Sequence, residues 1–445
     1  MSKILDAVSV VLTCGDEIFV IQRQFFLNAF PGYWAFPGGK VEKDDASLIP
    51  AGLMEDLDPK LFGAAVREIK EELGIDLRDE ILKGRVLSAH HLGLAVTPDF
   101  NPHRFSTYFF KVQLKEKMNF IVDPNEARMA RWMKSEELLR LYDSGEILAV
   151  PPVIKVIQTM GHEPHKNFIE DLNFFYDHTK YVPYIESIKG VRQLMPLSNT
   201  LPPANRTNSF LIGDDLKILI DPSPKDDEEY EKFKNTLNRF GVHKILLTHH
   251  HPDHHERSNK LALELRVPVL LSEYTRARIT RTNPGYFDGI ELQLLKEGDV
   301  VTQWLGQDVL IMEIPGHDEG QLGLYPKDLS WFLAGDLFQG IGTVVIGGEE
   351  GNMKKYFQTL ERIITLSPRV VFPSHGIGLG GTFILEKTLN HRRERESQIL
   401  KLYQEGVRPE DMLKSIYADV DSKLWPYALE NIQKHLIKLK EEDML

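Results

Sequence analysis

The run Thr248-His249-His250-His251-Pro252-Asp253-His254 constrains this chain more than any other segment. It follows directly on an apolar stretch at 244–247 that reads as a strand, so it sits at a strand's C-terminal end, the usual place for a site in an α/β sheet. Imidazole is a borderline-soft nitrogen ligand suited to zinc, and aspartate adds an oxygen ligand. Alternating spacing along an extended turn presents His249 and His251 on one side. Asp253 and His254 fall on the next turn of chain, where they can face a second ion. The plain alternative, surface or core histidines beside a helix-capping aspartate, fits one such residue better than it fits a cluster.

Size and composition bound what surrounds this run. At 445 residues the chain is too long for one ordinary core, and two or three domains are expected. The apolar fraction of 42% and charged fraction of 27% are those of a soluble globular protein. No apolar run approaches bilayer length. The first residues lack the basic start and long apolar block of a secretory signal, and they alternate like a hairpin turning near Gly15-Asp16. The single cysteine, Cys14, excludes an intrachain disulfide framework and reads as a small apolar core residue. A cytoplasmic location is the expectation. A net charge of −12 argues against a general nucleic-acid binder, although not against a local grip on a short RNA.

Along the chain, residues 1–160 mix β-like runs (8–12, 18–22, 107–112) with a helical stretch at 62–73. A second helix is expected at 135–142, capped by Ser135 and ended by Pro151-Pro152. Residues 161–186 read as a connector with a short amphipathic helix at 168–176. From 187 to 385 apolar strands (210–212, 218–220, 245–247, 267–271, 309–314, 331–333, 370–372) alternate with helical stretches such as 228–240 and 353–366, which indicates layered α/β architecture. Residues 386–445 read as three helices: 386–404, 409–417 and 427–441.

Three further histidines or acids follow apolar strands: His317 in Pro315-Gly316-His317, Asp336 in Ala334-Gly335-Asp336, and His375 in Pro373-Ser374-His375. With His-x-His-x-Asp-His at 249–254, this order resembles the metallo-β-lactamase superfamily. The resemblance implies an αββα sandwich in which His249, His251 and His317 hold one zinc ion. Asp253, His254 and His375 would hold a second, Asp336 would bridge, and Asp221 would lend support. It further implies that water activated between the ions is the nucleophile and that Asp253 orients it. His250 and His255 have no family role and read as exposed loop histidines. Glu256-Arg257 stand where the superfamily usually has a glycine pair, and Gln321 where it often has another histidine; both positions can reshape the substrate entrance. The segments Thr207-Asn208-Ser209-Phe210-Leu211 and Ile218-Leu219-Ile220-Asp221, and the tail from His391-Arg392-Arg393-Glu394-Arg395, are similar to the lactamase-β-like endoribonuclease branch. That branch ends in a small winged-helix-like helical domain. Glyoxalase II-type thioesterases share the same ligands, so the ligands do not choose between phosphodiester and thioester.

The helical stretch at 62–73 contains Arg67-Glu68-Ile69-Lys70-Glu71-Glu72-Leu73-Gly74. Glu68, Glu71 and Glu72 lie at i, i+3 and i+4 and share one helix face, opposite Val66, Ile69 and Leu73. Three gathered carboxylates call for solvent or a hard cation such as Mg²⁺ or Mn²⁺. The segment resembles the second half of a Nudix box, and Phe36-Pro37-Gly38-Gly39-Lys40-Val41-Glu42 its opening half. An insertion from Lys43 to about Leu61 separates the two, as in the branch that includes coenzyme A diphosphatases. The resemblance implies an α/β/α sandwich, metal ligation by Glu68, Glu71 and Glu72 with the Gly39 carbonyl assisting, and an Arg67 that pairs with an acid. The box's usual first glutamate is missing, with Asp45 near its place.

The expected protein is thus a bifunctional metal-dependent hydrolase of mixed α/β and α+β domains. A two-zinc centre would cleave a thioester or phosphodiester, and a Mg²⁺ or Mn²⁺ Nudix centre a nucleoside-diphosphate-linked small molecule such as CoA. The competing reading is an endoribonuclease acting on single-stranded RNA, whose Nudix domain only binds nucleotide or RNA.

Overall fold

The computed structural model describes residues 4–445 apart from 49–52, 54–56, 174–175 and 419. Most of the Nudix-box insertion's centre therefore lies outside the described residues. By contacts the chain divides into two units, Met1–Tyr176 with Ile185–Lys189, and Asp177–Tyr184 with Gly190–Leu445.

In the first unit the expected hairpin forms from the strands Leu5–Cys14 and Glu17–Arg23. Gly15 turns it at φ 58°, a left-handed conformation open to a residue without Cβ. Cys14 is half-buried beside that turn, not a core residue. Leu5–Cys14 also pairs in parallel with Phe105–Leu114, and Val86–Val96 completes that edge. Trp34–Ala35 and Ala127–Lys134 flank Glu17–Arg23. The period of two sorts the strand residues by face. Val8, Val10 and Leu12 pack under the helix Pro59–Leu73 through Ala65, Ile69 and Leu73. Val11, Ile18 and Val20 pack on the other side against Leu138, Val153 and Ile157 of the helices Ser135–Asp143 and Pro151–His162. An α/β/α sandwich results.

Three local expectations are corrected here. Lys134, not Ser135, occupies the cap position of Ser135–Asp143; Ser135 lies in its first turn and is buried. Pro151-Pro152 opens the helix Pro151–His162 instead of ending one, since a first-turn proline lacks only an N–H that would have no helical partner anyway. The helix expected at 168–176 is absent over 168–173, while 174–175 lie outside the described residues. Its apolar residues Ile169 and Leu172 join the sheet's core instead, and the Ile169 N–H donates to the Leu92 carbonyl at 2.7 Å. Gly93 permits this approach: a Cβ there would stand 2.8 Å from the Ile169 carbonyl oxygen.

The second unit stacks two sheets. One runs, in spatial order, Leu292–Leu294, Val269–Leu271, Lys244–Leu246, Ile218–Ile220, Ser209–Ile212, Val191–Leu194; the other runs Val300–Trp304, Gln307–Glu313, Leu322–Pro326, Phe332–Gly335, Val370–Pro373, Leu379–Gly380. Phe210 and Phe372 meet edge to face between them, 5.6 Å apart. Tyr230, Phe233 and Leu237 of the helix Asp227–Leu237 cover the first sheet. Tyr356, Leu360 and Ile363 of Met353–Leu366 cover the second, completing an αββα sandwich. The tail forms the three expected helices, Phe383–Gln404, Pro409–Ile416 and Trp425–Glu441, around Ile399, Met412 and Ile432. Among the described residues no helix is long and apolar enough to cross a membrane.

Candidate metal centres

Neighbouring strand ends build the histidine site. Ile218–Ile220 runs parallel to Lys244–Leu246, which brings Asp221 beside Thr248. Asp221 sits at φ 47° and accepts from the Thr248 N–H at 2.8 Å, the Thr248 hydroxyl at 2.6 Å and His254 Nδ1–H at 2.8 Å. The other sheet contributes His317, Asp336 and His375 from the ends of Gln307–Glu313, Phe332–Gly335 and Val370–Pro373.

Two trios converge. His251 Nδ1 lies 3.1 Å from His249 Nε2 and 3.0 Å from His317 Nε2. Asp253 Oδ2 lies 3.8 Å from His254 Nε2 and 3.6 Å from His375 Nε2. Asp336 stands between the trios, its Oδ2 3.5 Å from His317 Nε2 and 3.6 Å from His254 Nε2, its Oδ1 3.6 Å from His375 Nε2. In each trio the donor atoms all lie within 4.8 Å of one another.

The opposite ring nitrogens identify the tautomers, because an oxygen without a hydrogen can only accept. His317 Nδ1–H donates to the Val345 carbonyl at 2.8 Å, and His375 Nδ1–H to the Arg206 carbonyl at 2.9 Å. His251 Nε2–H reaches Glu350 Oε1 at 3.4 Å. The Thr248 hydroxyl gives its hydrogen to Asp221 and so accepts from His249 Nδ1–H at 3.0 Å. All the inward nitrogens of the first trio are therefore bare lone pairs about one hydrogen bond apart with no hydrogen to share. His254 Nε2 of the second trio and Oδ1 of Asp336, which stands between the trios, are buried without a hydrogen-bond partner. Cations between these atoms satisfy both groups, so the donor sets fit metal ions.

Electrostatics divide the rings. Burial, reinforced by the neighbouring His254 and His251, holds His249 well below the ordinary histidine value. Burial likewise takes His317 down to about 4. Burial also works against charge on His254 and His375, but Asp253 and Asp336 outweigh it and raise both rings, His254 well above its usual value. Asp336 is held well below the carboxylate range: burial opposes this, and His254 and His375 overcome it.

His250 and His255 are not exposed, contrary to the expectation. His250 Nδ1 makes a short hydrogen bond to buried Asp318, and His250 joins His251 and Glu350 in a further close group. His255 packs its ring edge to face with Tyr286 at 5.1 Å. At the glycine-pair position, Arg257 takes φ 66° and is held there by bonds to the Pro224 and Lys225 carbonyls at 3.1 and 2.8 Å. Glu256 accepts from Asn199 at 2.6 Å. Gln321 is buried and donates to the Ala334 carbonyl at 3.1 Å. Glu350 and Asp318 escaped sequence reasoning; Asp318 stands directly after His317 but has no part in the family's ligand order, Glu350 follows no strand, and only the fold brings them to the rings.

In the first unit Arg67 is a hub. Its guanidinium reaches Asp45 at 2.9 and 3.1 Å, Glu68 at 2.8 Å, Glu71 at 3.1 Å and the Lys40 carbonyl at 2.8 Å. Asp45, buried, is thus the acid that pairs with Arg67. Glu72 accepts from the Gly38 N–H at 3.0 Å. Gly39 is backed by Glu68, and its carbonyl accepts from the Val8 N–H at 2.8 Å. Burial pushes Glu72 up to about 8 and also raises Glu68. The close donor groups among the described residues do not include Glu68, Glu71 and Glu72; Arg67 bonds Glu68 and Glu71, and the Gly38 N–H bonds Glu72. Glu68 and Glu72, raised by burial and only partly paired, are nonetheless oxygen donors that a hard cation relieves, with Glu71 exposed beside them.

Residues 202–375 match the metallo-beta-lactamase superfamily, residues 3–149 the NUDIX domain, and residues 409–444 the beta-lactamase associated winged helix domain. The chain is 30% identical over 253 residues to the beta-lactamase-like protein 2 homolog of Drosophila melanogaster, covering 54% of this chain and 84% of that protein. It is 31% identical over 136 residues to a hydroxyacylglutathione hydrolase of Bdellovibrio bacteriovorus, covering 30% of this chain and 49%, about half, of that relative. A solved beta-lactamase domain protein from Burkholderia ambifaria superposes with a TM-score of 0.51 at 20% identity, over 61% of this chain and 91% of that one, and shares the fold.

Proposed function

From a chain that belongs to the metallo-β-lactamase superfamily and carries a NUDIX domain ahead of that region, we propose a hydrolase with two independent metal centres, one opening a thioester and one a diphosphate. Its parts are residues 1–160 (Nudix), a connector at 161–186, 187–385 (metallo-β-lactamase) and 386–445 (winged-helix-like). The single observation that carries the reading is the convergence of His249, His251 and His317 through bare nitrogens 3.0–3.1 Å apart.

In the second unit His249, His251 and His317 would hold one zinc ion, Asp253, His254 and His375 another, with Asp336 shared. When bound, the ions supply an activated water and polarise the substrate's carbonyl or phosphoryl oxygen. Asp253 orients that water and is itself held by the Thr207 hydroxyl, which donates to Oδ2 at 3.3 Å. Asp221, Val345, Arg206 and Glu350 keep the rings in the tautomers that face inward. Of the two bonds the ligands allow, this reading takes the thioester for the histidine centre. The relatives named as a hydroxyacylglutathione hydrolase and an atrochrysone carboxyl ACP thioesterase support the same choice.

In the first unit Glu68, Glu71 and Glu72, assisted by the Gly39 carbonyl, would hold Mg²⁺ or Mn²⁺, which supplies charge neutralisation for a substrate diphosphate. Arg67, anchored on Asp45, keeps Glu68 and Glu71 in place. A nucleotide-linked thioester such as an acyl-CoA offers both bonds in one molecule. The test is a substrate panel of acyl-CoA, CoA, S-acyl glutathione, nucleoside diphosphates and single-stranded RNA with Zn²⁺ and Mg²⁺. Loss of thioester cleavage in Asp253→Asn alone and of diphosphate cleavage in Glu72→Gln alone is expected. RNA cleavage with inert thioesters would establish the endoribonuclease reading instead.

A further inference from the structure

The segment 344–350 passes beside the histidine trio and touches two of its members. Its Val345 carbonyl accepts from His317 Nδ1–H at 2.8 Å, and its Glu350 accepts from His251 Nε2–H at 3.4 Å. Nothing in the segment is a regular helix or strand, so its backbone polar groups must find partners elsewhere. They find them on the C-terminal helices. The Ile346 N–H donates to Asn431 Oδ1 at 3.0 Å, and the Gly348 N–H to Glu430 Oε2 at 3.0 Å. Arg392 donates one arm to the Val344 carbonyl and the other to Asn431 Oδ1 at 3.0 Å. Asn431 is itself fixed by donating to the Tyr427 carbonyl at 3.0 Å. Arg392 and Asn431 are buried, so these bonds form away from competing water. A Cβ on Gly347 would lie 1.9 Å from Glu430 Oε2, which shows how closely the segment is drawn onto the helix Trp425–Glu441.

We propose that Arg392, Asn431 and Glu430 of the C-terminal helices are positioning residues for the His249/His251/His317 trio, acting through Val345 and Glu350. The C-terminal domain is then part of the metal centre's support, not an appended module. Its contacts leave the second trio alone: His254 is held by Asp221 and His375 by the Arg206 carbonyl, outside the segment. Loosening the clamp frees the rings of His317 and His251 and weakens one ion selectively, in the range of roughly 10–100-fold that outer-shell partners command.

The inference rests on the metal reading above, and one experiment separates the two. Full-length protein stripped of metal is titrated with Zn²⁺ against a chromophoric chelator, for wild type, Asn431→Leu, Asn431→Asp and Glu430→Ala. Wild type takes two ions. Asn431→Leu weakens one of them at least tenfold and spares the other, and Asn431→Asp, which keeps an oxygen for both donors, restores most of the affinity. The loss persists in a His375→Ala background and disappears in a His317→Ala background. Should Asn431→Leu fail to fold, Glu430→Ala, which removes a single loop bond, carries the same comparison. Equal weakening of both ions, no weakening, or an Asp variant no better than Leu overturns the positioning role. Wild type holding fewer than two ions overturns the metal reading beneath it.

Discussion

Asp221 Oδ2 lies 2.8 Å from His254 Nδ1, and both side chains are almost completely enclosed by protein. The same carboxylate accepts the Thr248 N–H and hydroxyl, so one buried acid sets the start of the histidine run and the orientation of its last ring. Asp221→Ala strips a buried N–H and an imidazole of their acceptor. The expected result is about 1–3 kcal/mol lower stability of the metal-free protein by denaturant melt, with roughly 10–100-fold weaker binding of one zinc ion. Asp221→Asn, with one acceptor oxygen, should fall between. A variant that binds both ions as wild type does would remove Asp221 from the centre.

Proton release should accompany zinc binding. Burial resists charge on His254 and His375, yet Asp253 and Asp336 win and raise both rings. A ring raised in the folded state contributes stability that is full below its unfolded value, near 6.5, and is lost as pH climbs through its folded value. The metal-free protein should therefore lose stability as pH rises from 6.5, and zinc, which displaces the protons, should bind more tightly over the same range. Calorimetry in buffers of different ionisation enthalpy measures the protons released; zero at pH 7 would contradict the assignment.

Two Nudix carboxylates, Glu68 and Glu72, shift the same way. Burial pushes Glu72 up to about 8 from an ordinary 4.5, so its contribution to stability is full below 4.5 and is lost as pH rises through about 8. Mg²⁺ affinity should climb with pH toward 8 and level off above it, as the proton ceases to compete. Glu72→Gln should flatten that dependence and lower diphosphate turnover by at least a hundredfold while leaving thioester turnover unchanged. A Mg²⁺ affinity independent of pH between 6 and 8 in wild type would sink the idea.

Asp45 anchors Arg67 through two bonds of 2.9 and 3.1 Å. Asp45→Ala leaves Arg67 with Glu68, Glu71 and the Lys40 carbonyl, and so turns the guanidinium wholly onto the proposed ligands. Mg²⁺ binding should weaken several-fold, and stability should drop by about 1–3 kcal/mol for the lost buried partner. Asp45→Asn, which retains one acceptor, should recover part of both. Unchanged Mg²⁺ affinity in Asp45→Ala would show that the pair serves the fold alone.

What the sequence determined by itself was everything written in short-range pattern. Strand ends carrying His249, His317, Asp336 and His375, the helix face of Glu68, Glu71 and Glu72, and the hairpin at Gly15 all follow from periods of two or 3.6 and from residues a few positions apart. The same local logic misplaced Ser135 and Pro151-Pro152, where a cap and a helix start look alike in sequence, and it made a helix of 168–173, whose apolar residues the sheet claimed. Tertiary structure alone decided which oxygens hold the rings. Val345 and Glu350 meet His317 and His251, Asn431 meets Ile346 across 85 positions, and Asp45 meets Arg67 across 22. These partners obey no chain periodicity, because a buried nitrogen or carbonyl needs only an oxygen or N–H within reach, and folding can bring that from anywhere along the chain.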